Sequence, residues 1–408
     1  MEKKYEVIDK IIEYGIYLYI ILMFLTKGEG IRNILIFGNF GLWLLTLKHR
    51  KNLYILKEPV SVLFWLFLGV TFFSVIFSID RVYSLLELKG DPLKSALLFP
   101  VISTVFVNEE RLKKMVNVIF LALIFIVSIG YYSYFFHNIS VLKPDIAIMH
   151  TGFTGYNRFA VFLNSLLPFA FIFLLLPKKT IVKVFLGLLL LISVIALILT
   201  SSRMGLISFF CIVFLWSLYF SKTRNYSFIK IISVITTAIL ITVTILWFSF
   251  PDVRNRVRPT SEQLRTFNLR TQAWEPAIHA ILQRPIFGWG YGKRIFFQDV
   301  PFQNTQYKKA PAIYPKNLHN TFIKILFHQG IIGLIPYLFL ILFSIKYLWK
   351  RSFRHKGIRS FVLIASVSVL FGNYIVHSMT EEVPNLLYLS FILGLGVAVN
   401  SIDENSNN

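Results

Sequence analysis

The sequence predicts an all-α polytopic membrane protein with about twelve transmembrane helices and one long external loop that contains short amphipathic helices. Three observations carry this. Of the 408 residues 56% are apolar and only 15% charged, with a mean hydropathy of +0.65, whereas soluble domains average about 25% charge and 45–50% apolar residues. Apolar runs long enough to cross a hydrocarbon core of ~30 Å recur almost to the C-terminus. One basic interval between two of these runs is far longer than any other. Together they exclude an ordinary soluble enzyme and a disordered chain.

The runs lie at 11–26, 31–47, 60–79, 92–107, 116–136, 158–176, 181–199, 204–220, 228–250, 320–346, 361–377 and 386–400. Residues 1–400 are thus expected to form a single membrane domain, with 251–318 as its long loop and 401–408 as a disordered cytoplasmic tail. The N-terminal MEKKYEVIDK leads into an apolar run with no small-residue cleavage site behind it, so a retained first span is expected rather than a removed signal. Cys211 is the single cysteine, which rules out a disulfide within the chain and a cysteine-rich zinc site.

Charge sets the orientation. The short connections on the N-terminal segment's side hold 22 Lys and Arg, and those on the other side hold 8. By the positive-inside rule both termini are cytoplasmic. Attraction to anionic inner-membrane lipid then accounts for the basic face without nucleic acid. The loop at 251–318 departs from this pattern. On the external side it carries Arg254, Arg256, Arg258, Arg265, Arg270, Arg284, Lys293, Arg294, Lys308, Lys309 and Lys316 against Asp252, Glu262, Glu275 and Asp299. Long loops translocate regardless of charge, so a merely solvated basic loop is one account. An anionic ligand is the other. Nucleotides are not expected outside the cytoplasmic membrane, which leaves lipid-linked phosphates on a polyprenyl carrier, or acidic glycans.

Three segments concentrate the chemistry. Thr200-Ser201-Ser202-Arg203-Met204-Gly205 stands at the external mouth between two spans. Ser or Thr there caps the next helix, the free amides of a helix N-terminus favour phosphate, and Arg203 adds a bidentate donor; an arginine snorkelling to the interface is the structural alternative. Asn268 to Ile278 places 270, 274, 278 and 281 on one helical face, an amphipathic external helix able to lie on the membrane with Arg270 at its start; since Pro276 is tolerable only in the first turn, Arg270 stands either inside that helix or just before it. The run Gly288-Trp289-Gly290-Tyr291-Gly292 that follows is no dinucleotide fingerprint, because no strand precedes it; it reads as a tight loop, with a backbone phosphate cradle as the alternative.

The third segment begins at His319-Asn320, where the long loop re-enters the membrane, and it sets Asn320, Lys324 and His328 one turn apart on a stripe. Ionisable groups at such depth normally face a cavity. The neutral imidazole of His319 suits general-base attack by a sugar hydroxyl, and an interfacial histidine is the plainer view. Glu381-Glu382, in a turn ended by Pro384, is the one tight acidic pair expected on the external side. It is kept as a second candidate for base or glycan contact, against a simple polar turn. No Asp-x-Asp lies outside, so neither metal nor cofactor is expected.

The set resembles the O-antigen ligase and polymerase superfamily, the bacterial membrane glycosyltransferases with a Wzy-C region. The resemblance runs over roughly 60–345 and rests on Ser202 to Gly205, on Arg270, Trp274, Pro285, Gly288 and Gly290, and on His319 to Phe322 with Gly330 and Gly333. Tyr156-Asn157-Arg158 departs from the Asn-Pro-Asn that members often carry. The resemblance implies a donor glycan on undecaprenyl pyrophosphate, held by Arg203 and Arg270, with His319 as the catalytic residue. Supporting places fall to Ser202, Trp274, Asn320, Lys324, Glu381 and Glu382. It further implies metal-independent inversion at the anomeric carbon, in an inner membrane with the site facing the periplasm. The foremost expected acceptor is lipid A core, as in an O-antigen ligase. A polymerase, transfer to protein, and a lipid-linked glycan transporter are the alternatives. A transporter should carry charge at mid-depth in several spans, whereas here charge collects at the external lip.

Overall fold

The computed structural model describes residues 2–25, 28–50, 52–136, 156–176, 179–200, 202–224, 273–297, 318–381 and 386–402, with isolated positions at 227, 229, 230, 237, 244 and 301. The described residues are helical apart from short connections and contain no strand. In lipid every backbone polar group must be satisfied within its own segment, and the helix does this. In chain order the helices are α1 (Glu2–Leu22), α2 (Glu29–Thr46), α3 (Pro59–Phe73), α4 (Arg81–Leu88), α5 (Asp91–Val105), α6 (Glu109–Phe136), α7 (Tyr156–Ala170), α8 (Thr180–Leu199) and α9 (Arg203–Arg224). They continue as α10 over 273–283, α11 (Thr321–Ser352), α12 (Gly357–Val369) and α13 (Leu386–Asn400).

Eleven of the twelve predicted runs coincide with a helix; the twelfth, 228–250, lies almost wholly outside the described residues. Among the described residues, eight helices are long and apolar enough to cross a membrane. The chain is a polytopic membrane protein. The run at 92–107 is helical as α5, with 15 residues, and α13 is equally short.

One boundary is corrected. Arg111, Lys113 and Lys114, assigned to a connection, lie in the opening turns of α6, which starts at Glu109. Asn108 caps it by accepting from the Glu110 amide at 2.7 Å, and Glu109–Lys113 and Glu110–Lys114 pair at i,i+4. Hydropathy marks only the apolar part of a helix, and these polar turns extend it.

The bundle closes by small residues meeting large ones. α13 packs along α5, where a Cβ on Gly394 would already touch Ile102 at 3.2 Å. Such close approach is how helices associate where lipid removes the hydrophobic drive. At one end Arg50 and Arg111 meet Asp9, and Arg111 meets Glu13, tying α1 to α6. Asn400 and Tyr347 meet Glu58 at the same end. At the other end α7, α9 and α11 begin, and the 273–297 segment packs on α11 and against α4. α12 runs into that end through a wide π-helical stretch, Leu370–Val376, and a 3-10 turn, His377–Met379. The fully buried Asn373 pins the stretch to α7, donating to the Val161 carbonyl and to Ser165 Oγ. This widening sets where Glu381 falls.

Candidate active site

Ser202 is the N-cap of α9: its Oγ accepts from the Gly205 amide at 3.1 Å. A hydroxyl can also donate, and Ser202 Oγ donates to Asn157 Oδ1 at 2.8 Å. Asn157 Nδ2 in turn donates to Glu381 Oε2 at 2.7 Å. The other oxygen of that carboxylate lies 2.9 Å from His319 Nδ1. One hydrogen-bonded chain, Ser202–Asn157–Glu381–His319, therefore joins the openings of α7 and α9 to the residues before α11. Arg203, first residue of α9, adjoins it with an exposed side chain.

The start of α11 explains the placement of His319. Asn320 caps the helix, its Oδ1 accepting from the Phe322 and Ile323 amides at 2.9 and 3.0 Å. Its Nδ2 donates to the Met379 carbonyl at 2.9 Å, and Thr321 Oγ1 donates to the Glu381 carbonyl. Both bonds draw the 379–381 turn against the helix start. Just before the cap, His319 has φ +49 and is the one non-glycine residue with positive φ among those described. Such left-handed backbone costs energy for a side chain with a Cβ and persists where the surroundings over-determine it. His319 and Glu381 side chains are 25% and 12% exposed, so their pairing is little weakened by water. A carboxylate only accepts, so the imidazole donates from Nδ1 and its lone pair lies on Nε2.

The covering segment is locked onto α11 by a complete exchange of backbone hydrogen bonds. Gly330 breaks α11 with φ +63 and ψ −162. Within a regular helix Ile331 and Ile332 would donate to the carbonyls of 327 and 328. Instead they donate to Pro285 and Ile286, while the freed carbonyls of Phe327 and His328 accept from Trp289 and Gly290. All four groups are satisfied, as backbone buried away from water requires. A Cβ on Gly330 would lie 2.2 Å from the Ile286 carbonyl oxygen, and one on Gly290 2.1 Å from Ser78 Oγ. The Gly-Trp-Gly-Tyr-Gly run is thus a tight loop, as expected, and its glycines serve this docking. His328, with Nδ1 2.8 Å from the Gly290 carbonyl oxygen, belongs to the same lock.

α10 packs on the fold through its small residues. Ala273, Ala277, Ala280 and Ile281 are buried, while Ile278 is 47% exposed. Of the stripe through 274, 278 and 281, Ile281 packs on the fold and Ile278 is left exposed. Small alanines let the helix lie close to its support, and a pattern that counts only large apolar residues misses them. Pro276 sits in the first turn of the described helix. Trp274 Nε1 donates to the Leu318 carbonyl at 2.7 Å, directly before His319.

The structure thus brings together Ser202, Trp274, His319, Asn320 and Glu381, and sets Arg203 beside them. Asn320 is a cap and tether, one residue from the described contact between His319 and Glu381. Lys324 faces a neighbouring cavity with Thr321 and His328. Arg270 and Glu382 lie outside the described residues. Asn157, which links Ser202 to Glu381, is a site residue that the sequence did not assign; its signal was the tripeptide 156–158, which departs from the family's Asn-Pro-Asn. Among the described residues no three His, Cys, Asp or Glu gather as a metal would need.

Residues 187–338 match a protein-family model described as O-antigen ligase. The matched stretch contains Ser202, Arg203, Arg270, Trp274, His319 and Asn320. No curated protein matches the chain.

Proposed function

With the O-antigen ligase domain of residues 187–338 as premise, we propose that this membrane protein is an inverting, metal-independent glycosyltransferase that moves a glycan from undecaprenyl pyrophosphate to a hydroxyl of lipid A core. The observation that supports it is the 2.9 Å contact between His319 Nδ1 and Glu381 Oε1 beside the capped start of α9. A base oriented by a carboxylate, next to a helix N-terminus with an arginine, is what a pyrophosphate leaving group and a hydroxyl nucleophile need.

In this mechanism the acceptor hydroxyl gives its proton to His319 Nε2 as its oxygen attacks the anomeric carbon. The bond from that carbon to the pyrophosphate oxygen breaks on the opposite face, so configuration inverts. Glu381 holds the imidazole in the required tautomer and stabilises the imidazolium that forms. Arg203 and Arg270 stabilise the charge that develops on the pyrophosphate, and the α9 amides add to it. The site faces the periplasm, and both termini face the cytoplasm.

Purified protein supplied with lipid-linked glycan and lipid A core, with products resolved by mass, tests this directly. Glycosylated core is expected, and His319→Ala should lower turnover about 10²-fold or more, the usual scale for loss of a general base, while donor lipid still binds. Growth of the lipid-linked glycan with core untouched would instead mark a polymerase, which uses the same chemistry on another acceptor. Reporter fusions after Lys222 and near Asn304 should report opposite sides of the membrane; the same side for both would remove the external site.

A further inference from the structure

The outward side of α4 is apolar. Val82, Leu85 and Leu86 share one face at helical spacing and are 73%, 58% and 54% exposed, while the inward side carries Leu88 and Ser84, the latter fully buried with its Oγ 2.6 Å from Ser78 Oγ. A surface helix of a soluble protein turns its apolar stripe inward, so a stripe turned outward marks a surface that meets a partner. Exposed cations bracket it: Arg81 opens the helix and Lys89 follows its last residue.

Three features point to lipid as that partner. The first is continuity. α3 has its own outward row, Val62, Leu66, Phe73 and Ile76, on the apolar helix of residues 59–77, which is long enough to cross the membrane. Such a row on a spanning helix faces the hydrocarbon, and this one ends just before the bend at 79–80 that leads into α4. The second is length. α4 has eight residues and is about 12 Å long, so it can lie along a hydrocarbon core of ~30 Å but cannot cross it. It joins the end of α3 to the start of α5, which keeps it at one surface of the membrane. The third is the pair of cations, since basic side chains beside a sunken apolar face reach the headgroup phosphates.

α4 and the turn before it also receive the 284–294 loop. The Ile79 amide donates to the Trp289 carbonyl at 3.2 Å, the Arg294 amide donates to Tyr83 Oη at 3.1 Å, and Phe287 stacks on Phe77 with ring centroids 3.8 Å apart. The same loop exchanges backbone hydrogen bonds with α11. It is therefore held between α4 and the helix whose start carries His319.

We infer that α4 is an interfacial helix: Val82, Leu85 and Leu86 sink into the bilayer leaflet on the side of the candidate site, Arg81 and Lys89 lie at its phosphates, and the helix seats the 284–294 loop on lipid. The bilayer surface is thus a structural partner of the loop that docks on α11. This does not depend on which reaction the protein performs.

The test uses the full chain in nanodiscs of phosphatidylethanolamine and phosphatidylglycerol. Cys211 is the single cysteine, so Cys211→Ala gives a background in which Leu85→Cys, Leu66→Cys or Lys113→Cys carries one environment-sensitive fluorophore. Emission from position 85 should fall about twofold with a lipid bearing a nitroxide near its headgroup, and less with one bearing it near the chain end, while aqueous iodide has little effect. Position 66, in the middle of α3, should show the opposite order of the two lipids. Position 113, in the polar opening turns of α6, should respond to iodide. Iodide quenching at 85 equal to that at 113 overturns the inference. So does protection from both nitroxide and iodide, which would put protein, from this chain or a second copy, on that face. The seating is read separately. Leu85→Gln with Leu86→Gln keeps good helix formers and removes most of the apolar face. Hydrogen exchange should then speed about tenfold at the Trp289 and Gly290 amides, which bond to the Phe327 and His328 carbonyls, and stay unchanged over α13. Exchange unchanged at 289 and 290, or raised equally over α13, overturns the seating, and the labelled variants decide the lipid contact by themselves.

Discussion

Glu381→Gln is the sharpest probe of the site, because it keeps the shape of the side chain and removes its charge. The carboxylate accepts two hydrogen bonds, from Asn157 Nδ2 at 2.7 Å and from the His319 ring at 2.9 Å. Glutamine keeps one acceptor oxygen and presents an NH₂ in place of the other, so it cannot accept both. One charge-assisted hydrogen bond is worth about 1.5–3 kcal/mol, and at 1.36 kcal/mol per tenfold this lowers kcat by about 10- to 150-fold. Asn157 can escape by flipping its amide, with the Ser202 hydroxyl turning to accept from it. That restores the count of hydrogen bonds and leaves the imidazolium without its counter-charge, which moves the expected loss towards the lower figure. With a side chain only 12% exposed, water cannot substitute for the missing oxygen. Single-turnover transfer at saturating donor reads the chemical step, and a thermal melt checks the fold. A rate within about twofold of wild type, in a protein that melts normally, would mean that Glu381 does not orient the base.

Four further outcomes are expected. Arg203→Ala and Arg270→Ala should each insert normally in the membrane yet lose transfer, with lysine a poor substitute because it lacks the planar fork; transfer rates and membrane fractionation check both. Gly330→Ala sets a Cβ 2.2 Å from the Ile286 carbonyl oxygen in a backbone region essentially restricted to glycine, so it should destabilise the protein by about 1–3 kcal/mol; Gly187→Ala, with nothing within 4 Å, should leave the melting curve unmoved. Ser202→Ala should cost about 1 kcal/mol through the lost cap and slow transfer by freeing Asn157, while Ser202→Thr should retain most of both; denaturation and rate measurements separate the two effects. Transfer should survive excess chelator, and activity that vanished with chelation and returned with Mg²⁺ or Mn²⁺ would replace the arginines at the centre of the mechanism.

The helices were legible from the sequence alone because hydrocarbon leaves a spanning segment little choice. Apolar runs such as 320–346 and 181–199 became α11 and α8 with small shifts at their ends, since the helix satisfies its own backbone without help from neighbours. Ser202, Arg203, His319 and Asn320 were legible for a related reason: each sits at a helix start, and helix starts have local chemical signatures. Glu381 was visible as an acidic pair with Glu382 but without a partner, and Asn157 as the middle of a departing tripeptide.

Tertiary structure alone decided their union. His319 and Glu381 are 62 residues apart, and they meet because the π-helical widening of α12, pinned by Asn373, carries the 377–381 turn to the start of α11. The break at Gly330 and the docking of the 285–290 loop were likewise unreadable, since a hydropathy profile runs straight through them. The physical reason is common to all of these. In a membrane the residues that face lipid and those that face protein are equally apolar, so hydropathy records that Ile278 and Ala277 both avoid water but not that only Ala277 is buried against the fold. Which faces meet depends on small side chains and exchanged hydrogen bonds between segments distant in sequence, and these exist only once the bundle has formed.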